Sequence, residues 1–413
     1  MQVGGGSVRH TLAMRRRVVV TGLGLVSAFG NEVDGFWDAL LAGRSAATET
    51  LLEGLPPVPT CRVPEFPLDD VISRRDAKRM DRVGVFAAVA TAAALADAGR
   101  HGIPGERFGA AIGCAHGGAA TVEEAQRTLR ERGLDRVSPF AVPLGLVNSA
   151  VAGVARVHGL RGPSSAPATA CAAGSDAIGF AFERIRDGRA DAMVAGGAEA
   201  AIVPSVIAGY LRLGAIASLE RGAAAASRPF DAARDGFVMA EGAGVLVLEE
   251  REHAEARGAR IYAELVGYGQ SCDAGHMTSP DDTGDGPARA VAEALAEAGI
   301  EASAVGYVNA HATSTPVGDR AEAIALRRAG LAAVPVSSTK GQHGHTLGAA
   351  GGIEAIATLV CFARDQLPPC ANLDVSDVEL DLVRTARSAA PEYAMSTGFG
   401  FGGHDAALVF RRG

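Results

Sequence analysis

The chain reads as an α/β protein in which helices cover a mixed β-sheet, and three observations predict this. Short apolar, β-branched segments alternate with alanine-rich helical ones, the pattern of layered α/β folds. At 413 residues, 48% hydrophobic and 21% charged, the chain exceeds one ordinary core and can fill about two structural units. Third, two distant stretches resemble each other: PSSAPATACAAGSDAIGFAFERI (163–185) and PVSSTKGQHGHTLGAAGGIEAIATLV (335–360). Each sets a serine pair, a loop, a reactive side chain (Cys171 or His345) and a glycine three residues later before an apolar helix. Such self-similarity is the mark of internal repetition.

The elements follow in order. Residues 17–25 (RVVVTGLGL) are a β-branched run entering a glycine turn at Gly22 and Gly24, which predicts a buried strand. Residues 36–41 (FWDALL) predict a helix, a loop rich in proline follows (Pro56, Pro57, Pro59, Pro64, Pro67), and residues 83–98 predict a second helix closed by Gly99. Further buried strands are expected at 108–112, 190–195, 243–248, 263–268, 305–309 and 406–410. A second echo joins AAIGCAHGG (110–118) to GYVNAHATS (306–314), each running from an apolar strand into a loop of small residues. Duplication predicts two similar halves, 15–255 and 256–413, behind a loose leader of residues 1–14. Met14 stands before three arginines and is a candidate start.

Several function classes are excluded. A net charge of −8 lacks the basic face that phosphate contacts need, which removes nucleic acid as a partner. No stretch of about 18 residues is free of charged and polar breakers, which argues against a membrane span. The N-terminus has no apolar core of a secretory signal. The six cysteines (Cys61, Cys114, Cys171, Cys272, Cys361, Cys370) form no CxxC pair and point to a reducing cytoplasm.

Three loops carry candidate chemistry. Cys171 precedes a helix whose apolar face is Ile178, Phe182 and Ile185. The positive end of that helix is expected to lower the thiol pKa, and N–H groups of the same turn can hold an oxyanion. A free cysteine is more often a buried apolar residue, the reading adopted for Cys61, Cys361 and Cys370. His311, in a loop of small and hydroxylated residues (NAHATSTPVGD), is expected to be accessible. His343 and His345 stand two apart with Lys340 upstream, and no carboxylate or cysteine completes a metal motif. A cysteine and two histidines in repeat-related loops fit covalent thioester chemistry.

These residues resemble those of the β-ketoacyl synthases of fatty acid and polyketide synthesis, in the thiolase-like superfamily. The likeness covers nearly the whole chain: VVVTGLGLVSAFGN, TACAAGSDAIG, DAMVAGGAEA, SRPFDAARDGFVMAEGAGVLVLE, NAHATSTPVGD, VSSTKGQHGHTLGAAGGIEA and GFGFGGHDAALVF. In order and spacing it is most similar to the synthase II type and its relatives in type II polyketide systems. The resemblance implies a duplicated five-layer α/β/α/β/α fold and a dimer. It implies an acyltransferase that needs no cofactor, its acyl chains carried on the phosphopantetheine of an acyl carrier protein. Cys171 would take the acyl chain as a thioester; His311 and His345 would stabilise the enolate left by decarboxylation of malonyl carrier; the N–H groups of Cys171 and Phe401 would form the oxyanion hole. Lys340 would pair with Glu354 and order the histidine loop, while Asp319 and Glu322 would position loops.

The sequence departs from that pattern in ways that bear on substrate. His404 and Asp405 stand where synthase II enzymes commonly have Thr-Asn, and Ala312 replaces a glycine. His116 and Tyr210 occupy acyl-pocket positions, with Phe399 beside the gating ring Phe401, so the pocket is expected to be more polar than one for a saturated chain. This favours a polyketide or polyene intermediate. An acidic enzyme with an acidic carrier needs a local basic patch, and Arg74, Arg75, Lys78, Arg79 and Arg82 supply one with helical spacing. Two rivals are a non-catalytic chain-length-factor-like subunit, against which Cys171 argues because such subunits typically carry glutamine there, and a thiolase-like enzyme acting on coenzyme A thioesters, which the histidine pair disfavours. A homodimer and a heterodimer with a chain-length-factor-like partner both stay open.

Overall fold

In a computed structural model, which describes residues 15–66 and 71–413, the run predicted at 17–25 forms strand β1, Val18–Val26, buried along its whole length. A strand covered on both faces is apolar throughout and does not alternate. The same is true of Phe108–Gly113 (β2). Ser164–Ser165 (β3), Ala192–Glu199 (β4) and Gly242–Glu250 (β5) follow. The rest of the chain adds Ala263–Cys272 (β6), Val305–Asn309 (β7), Pro335–Ser337 (β8), Asp381–Leu382 (β9), Tyr393–Gly400 (β10) and His404–Arg412 (β11). The leader proposed for residues 1–14 lies outside the described residues.

The strand order is β9-β8-β7-β10-β11-β6-β1-β5-β4-β2-β3. Read outward from the β1/β6 seam, the two sides have one pattern. The pairs β1/β5 and β5/β4 are antiparallel while β4/β2 and β2/β3 are parallel; β6/β11 and β11/β10 are antiparallel while β10/β7 and β7/β8 are parallel. Among the described residues, the sheet's two sides are hydrogen-bonded through Val18 to Val20, facing Leu265 to Ala263.

Six helices matter for the site: Val33–Leu41 (α1), Arg82–Ala98 (α2), Ala173–Arg186 (α3), Asp285–Ala298 (α4), Pro316–Arg328 (α5) and Ala350–Arg364 (α6). Ile178, Phe182 and Ile185 of α3 pack with Ile353, Ile356 and Leu359 of α6 in one core between the two sides of the sheet. A second core joins α2 (Phe86, Val89) to Ile112 and Val194, and a third joins α4 (Val291, Leu295) to Val308 and Val409. The result is a five-layer α/β/α/β/α thiolase-like fold. Segment Leu347–Arg364 has the length and apolarity of a membrane span, but 89% of it is buried, as befits a core helix.

The glycines of the two sides do one job. A Cβ on Gly22 or Gly24 would lie 2.1 or 1.8 Å from the carbonyl oxygens of Ala94 and Ala90 in α2. On Gly267 or Gly269 it would lie 2.2 or 2.0 Å from those of Ala294 and Ala290 in α4. Glycine there lets a helix lie directly on its strand.

One expectation changes. Each central helix is preceded by a 3-10 turn whose first residue is left-handed, Ala170 (φ 49°) before α3 and Leu347 (φ 49°) before α6. Counted from these turns, Cys171 corresponds to Gly348. The loop spacing had paired it with His345, which stands three residues earlier because the loops differ in length ahead of the turn.

Candidate active site

Cys171 lies in the turn Ala170–Ala172, at the N-terminus of α3. His345 Nε2 is 3.1 Å from its Sγ. The histidine is held by backbone bonds to a neighbouring strand: its N–H donates to Val238 O at 2.7 Å and its carbonyl accepts from Ala240 N–H at 2.9 Å. Gly344 makes this possible, being left-handed (φ 74°) and lying where a Cβ would meet Cys61 Sγ at 2.9 Å. Phe237 completes the wall, edge-on to His345 at 5.3 Å between centroids.

His311 follows β7. Its ring stands 5.3 Å from that of His345 at 83°, and its N–H is shared between Glu322 Oε1 (2.9 Å) and Thr397 Oγ1 (3.0 Å). Glu322 also accepts from Ala312 N–H at 2.6 Å and Thr397 Oγ1 at 2.7 Å. Asp319 accepts from Ser314 N–H at 3.0 Å and Phe230 N–H at 2.8 Å. Both carboxylates thus grip the loop that carries His311. Lys340 pairs with Glu354, both fully buried, and its Nζ lies 3.5 Å from His311 Nδ1.

Burial, then the Lys340 charge, holds both histidines well below the usual imidazole range, so they are neutral. Burial likewise pushes Cys171 up to about 12, against the pull of Lys340 and of the Phe401 N–H directed at the sulfur. This corrects two expectations. The thiol is not acidified by its helix, because desolvation outweighs the dipole. His311 is packed, at 8% exposure, because its loop folds under α5. Burial pushes Glu354 up to about 7 even against Lys340. Cys171, His311 and His345 offer ligand atoms within 4.8 Å of one another, but the Lys340 ammonium beside His311 opposes a cation there.

A cavity of about 230 Å³ opens onto Cys171, His311 and His345, with Tyr210, Phe399 and Phe401 in its wall. Phe399 stands edge-on to His311 at 5.9 Å, and Phe401 packs on Tyr210 at 6.1 Å. Gly400 lets this segment touch the nucleophile turn: a Cβ there would lie 2.6 Å from Thr169 O. His116 is set behind the wall, 5.9 Å from the Tyr210 ring. His343 faces away, its Nε2 3.0 Å from Thr339 Oγ1.

The N-terminal domain of the β-ketoacyl synthases matches residues 15–254 and their C-terminal domain residues 262–374. This chain belongs to the β-ketoacyl synthase family. The synthase is 45% identical to 3-oxoacyl-[acyl-carrier-protein] synthase 2 of Vibrio harveyi, over 96% of this chain and 99% of that one. It is similar to a ketosynthase solved with its type II polyketide acyl carrier protein and bound to a hexaketide (35% identity, 97% and 100% covered, TM-score 0.88). It is also similar to the ishigamide ketosynthase/chain length factor (33%, 97% and 100%, TM-score 0.89). The synthase is therefore an acyltransferase, of a family that uses no metal or small cofactor.

The basic segment differs from expectation. A helix of four residues, Arg74–Ala77, ends in a turn, so the basic residues share no continuous helical face. Arg75, Lys78 and Arg79 are exposed. The side chain of Arg74 lies outside the described residues. Arg82 is committed to Glu241 at 2.7 Å and to the face of Phe86.

Sequence reasoning missed Glu199, a fully buried carboxylate that accepts from the N–H groups of Ala115 (2.8 Å), His116 (3.3 Å) and Gly348 (3.2 Å). It does for the Cys114 loop what Glu322 does for the His311 loop. Its signal was a lone acid in the otherwise apolar run AMVAGGAEA (192–200).

Proposed function

We propose that this synthase elongates acyl chains by decarboxylative Claisen condensation on an acyl carrier protein, with Cys171 as nucleophile and His311 and His345 as enolate donors. The observation that carries this reading is the 3.1 Å contact of His345 Nε2 with Cys171 Sγ beside a second neutral imidazole. In the loading step Cys171 attacks the carrier thioester, His345 takes the thiol proton, and the departing carrier thiol receives it. In the second step malonyl carrier loses CO2. Neutral N–H donors suit the enolate oxygen, since they stabilise charge that develops only in the transition state. The enolate carbon attacks the Cys171 thioester, the N–H groups of Cys171 and Phe401 hold the oxyanion, and collapse returns the cysteine and a 3-oxoacyl carrier two carbons longer. No acceptor pins the buried His345 Nδ1, which leaves either tautomer accessible to serve both steps.

For pathway, we favour a polyketide or polyene intermediate. Tyr210 presents a phenol in the cavity wall, kept protonated by burial, with His116 behind it; such groups suit oxygenated or conjugated chains better than saturated ones. The 45% identity to a synthase 2 enzyme supports fatty acid elongation as the second reading. Loading of matched saturated and polyunsaturated or 3-oxo carriers, read by intact mass, separates them: preference for the saturated chain by tenfold or more contradicts the first.

A second subunit is also part of this reading. Leu129, Leu134, Phe140, Val142 and Leu146 form an exposed apolar run at 50% to 76% exposure, which suits an obligate interface. The occupant is a second copy or a chain-length-factor-like partner, in a cytoplasmic enzyme. We further read residues 15–255 and 256–413 as products of one duplication.

A further inference from the structure

Asp273 follows β6, and Asp405 is the second residue of β11, on either side of the turn that carries Phe401. Asp405 is 2% exposed. The hydroxyl of Ser271 is within donating reach of both Asp405 Oδ2, at 3.3 Å, and Gly286 O, which is nearer at 2.6 Å. Asp273 Oδ2 accepts from Asp281 N–H at 3.0 Å, while its Oδ1 is buried without a donor. Both carboxyls crowd one face of Gly286, where a Cβ would lie 1.8 Å from Asp273 Oδ1 and 2.7 Å from Asp405 Oδ2. A protonated carboxyl is the group at hand that can satisfy the orphan oxygen, since two ionised ones would repel. Asp273 is in turn fixed to the gate: its N–H donates to Gly403 O at 2.9 Å.

We propose that Asp405 and Asp273 share one proton, and that this hydrogen bond positions the Phe401 turn against Cys171. The pair is a positioning device that acts through the Phe401 N–H, and the proposal rests on the reading of Cys171 as acyl acceptor.

Burial, then the charge of Asp273, pushes Asp405 up to about 8. The other groups facing it change this little. Arg289 of α4 is directed to Asp285 and to Cys272 O, both at 2.9 Å; Asp285 is also held by Arg328; the neighbouring His404 interacts with Asp176 of α3. A pKa raised from 3.8 means that the docked turn keeps its proton below about pH 8 and loses the bond above it. An asparagine at position 405 would donate to Asp273 at every pH.

The test is the rate of Cys171 acylation by acyl carrier between pH 6.5 and 9.5, read by intact mass, for the full-length enzyme and Asp405→Asn. The wild-type rate relative to the variant should fall about tenfold from pH 7 to 9 with a midpoint near 8. A ratio constant within about twofold overturns the proposal. Asp273→Asn, whose amide would donate to Asp405, should flatten the profile too and substitutes if the first variant folds poorly. Asp405→Ala should be slow at every pH. If no form is acylated, the reading beneath the proposal fails instead.

Discussion

A helix N-terminus stabilises an anion by about 0.3 to 1 kcal/mol when exposed and up to about 2 when partly buried, whereas taking a charge out of water costs several. At Cys171 the second effect wins, so the sulfur rests as a thiol, and in the proposed mechanism His345, 3.1 Å away, accepts its proton. Cys171→Ala should abolish acyl transfer with the circular dichroism of the fold intact. His311→Ala and His345→Ala should lose condensation by about a hundredfold or more while some self-acylation survives; condensation at the wild-type rate in either would remove that histidine from the mechanism. Lys340 and Glu354 are a buried pair, and breaking such a pair costs about 3 to 5 kcal/mol. Urea unfolding of Lys340→Met should show that loss, and Lys340→Met with Glu354→Met should recover most of it. Residue identities at the site were legible because nucleophile, histidines and lysine stand in loops of distinctive small residues. The protonation of the cysteine and the two histidines was not, because it depends on burial by α5, α6 and the segment Val238–Ala240, which are distant in sequence.

At the scale of elements, the strands richest in β-branched residues were legible, including β1, β5 and β7. Strand β10 was not, because YAMSTGFG has no β-branched run. Strand β8 was not legible either, since three residues carry no periodicity. The paired glycines were visible, but only the structure gives their reason, which is close contact with helix carbonyls. Gly22→Ala and Gly269→Ala should each destabilise the protein by about 1 to 3 kcal/mol or more through overpacking, read as a fall in urea midpoint at unchanged slope. Tolerance of either would mean that its helix can retreat.

For the whole molecule, the repeat anticipated two matching sets of strands, while the offset of Cys171 from His345 was beyond the sequence because loop length obscures register. In the proposed docking of an acyl carrier, overall acidity leaves the contact to few basic residues. Arg75→Glu with Arg79→Glu should raise KM for carrier-bound substrate by about tenfold and leave small thioester analogues unchanged; equal effects on both would move the docking site elsewhere. Leu134→Asp with Val142→Asp should lower the assembly state in sedimentation. The most direct test of the central claim is intact-mass analysis of the wild type, Cys171→Ala and His345→Ala, first with acyl carrier and then with malonyl carrier. The account predicts acyl mass on Cys171 in the wild type and its release as 3-oxoacyl carrier, none on Cys171→Ala, and a retained, unreleased fraction on His345→Ala. Acyl mass on Cys171→Ala, or normal release from His345→Ala, would contradict it.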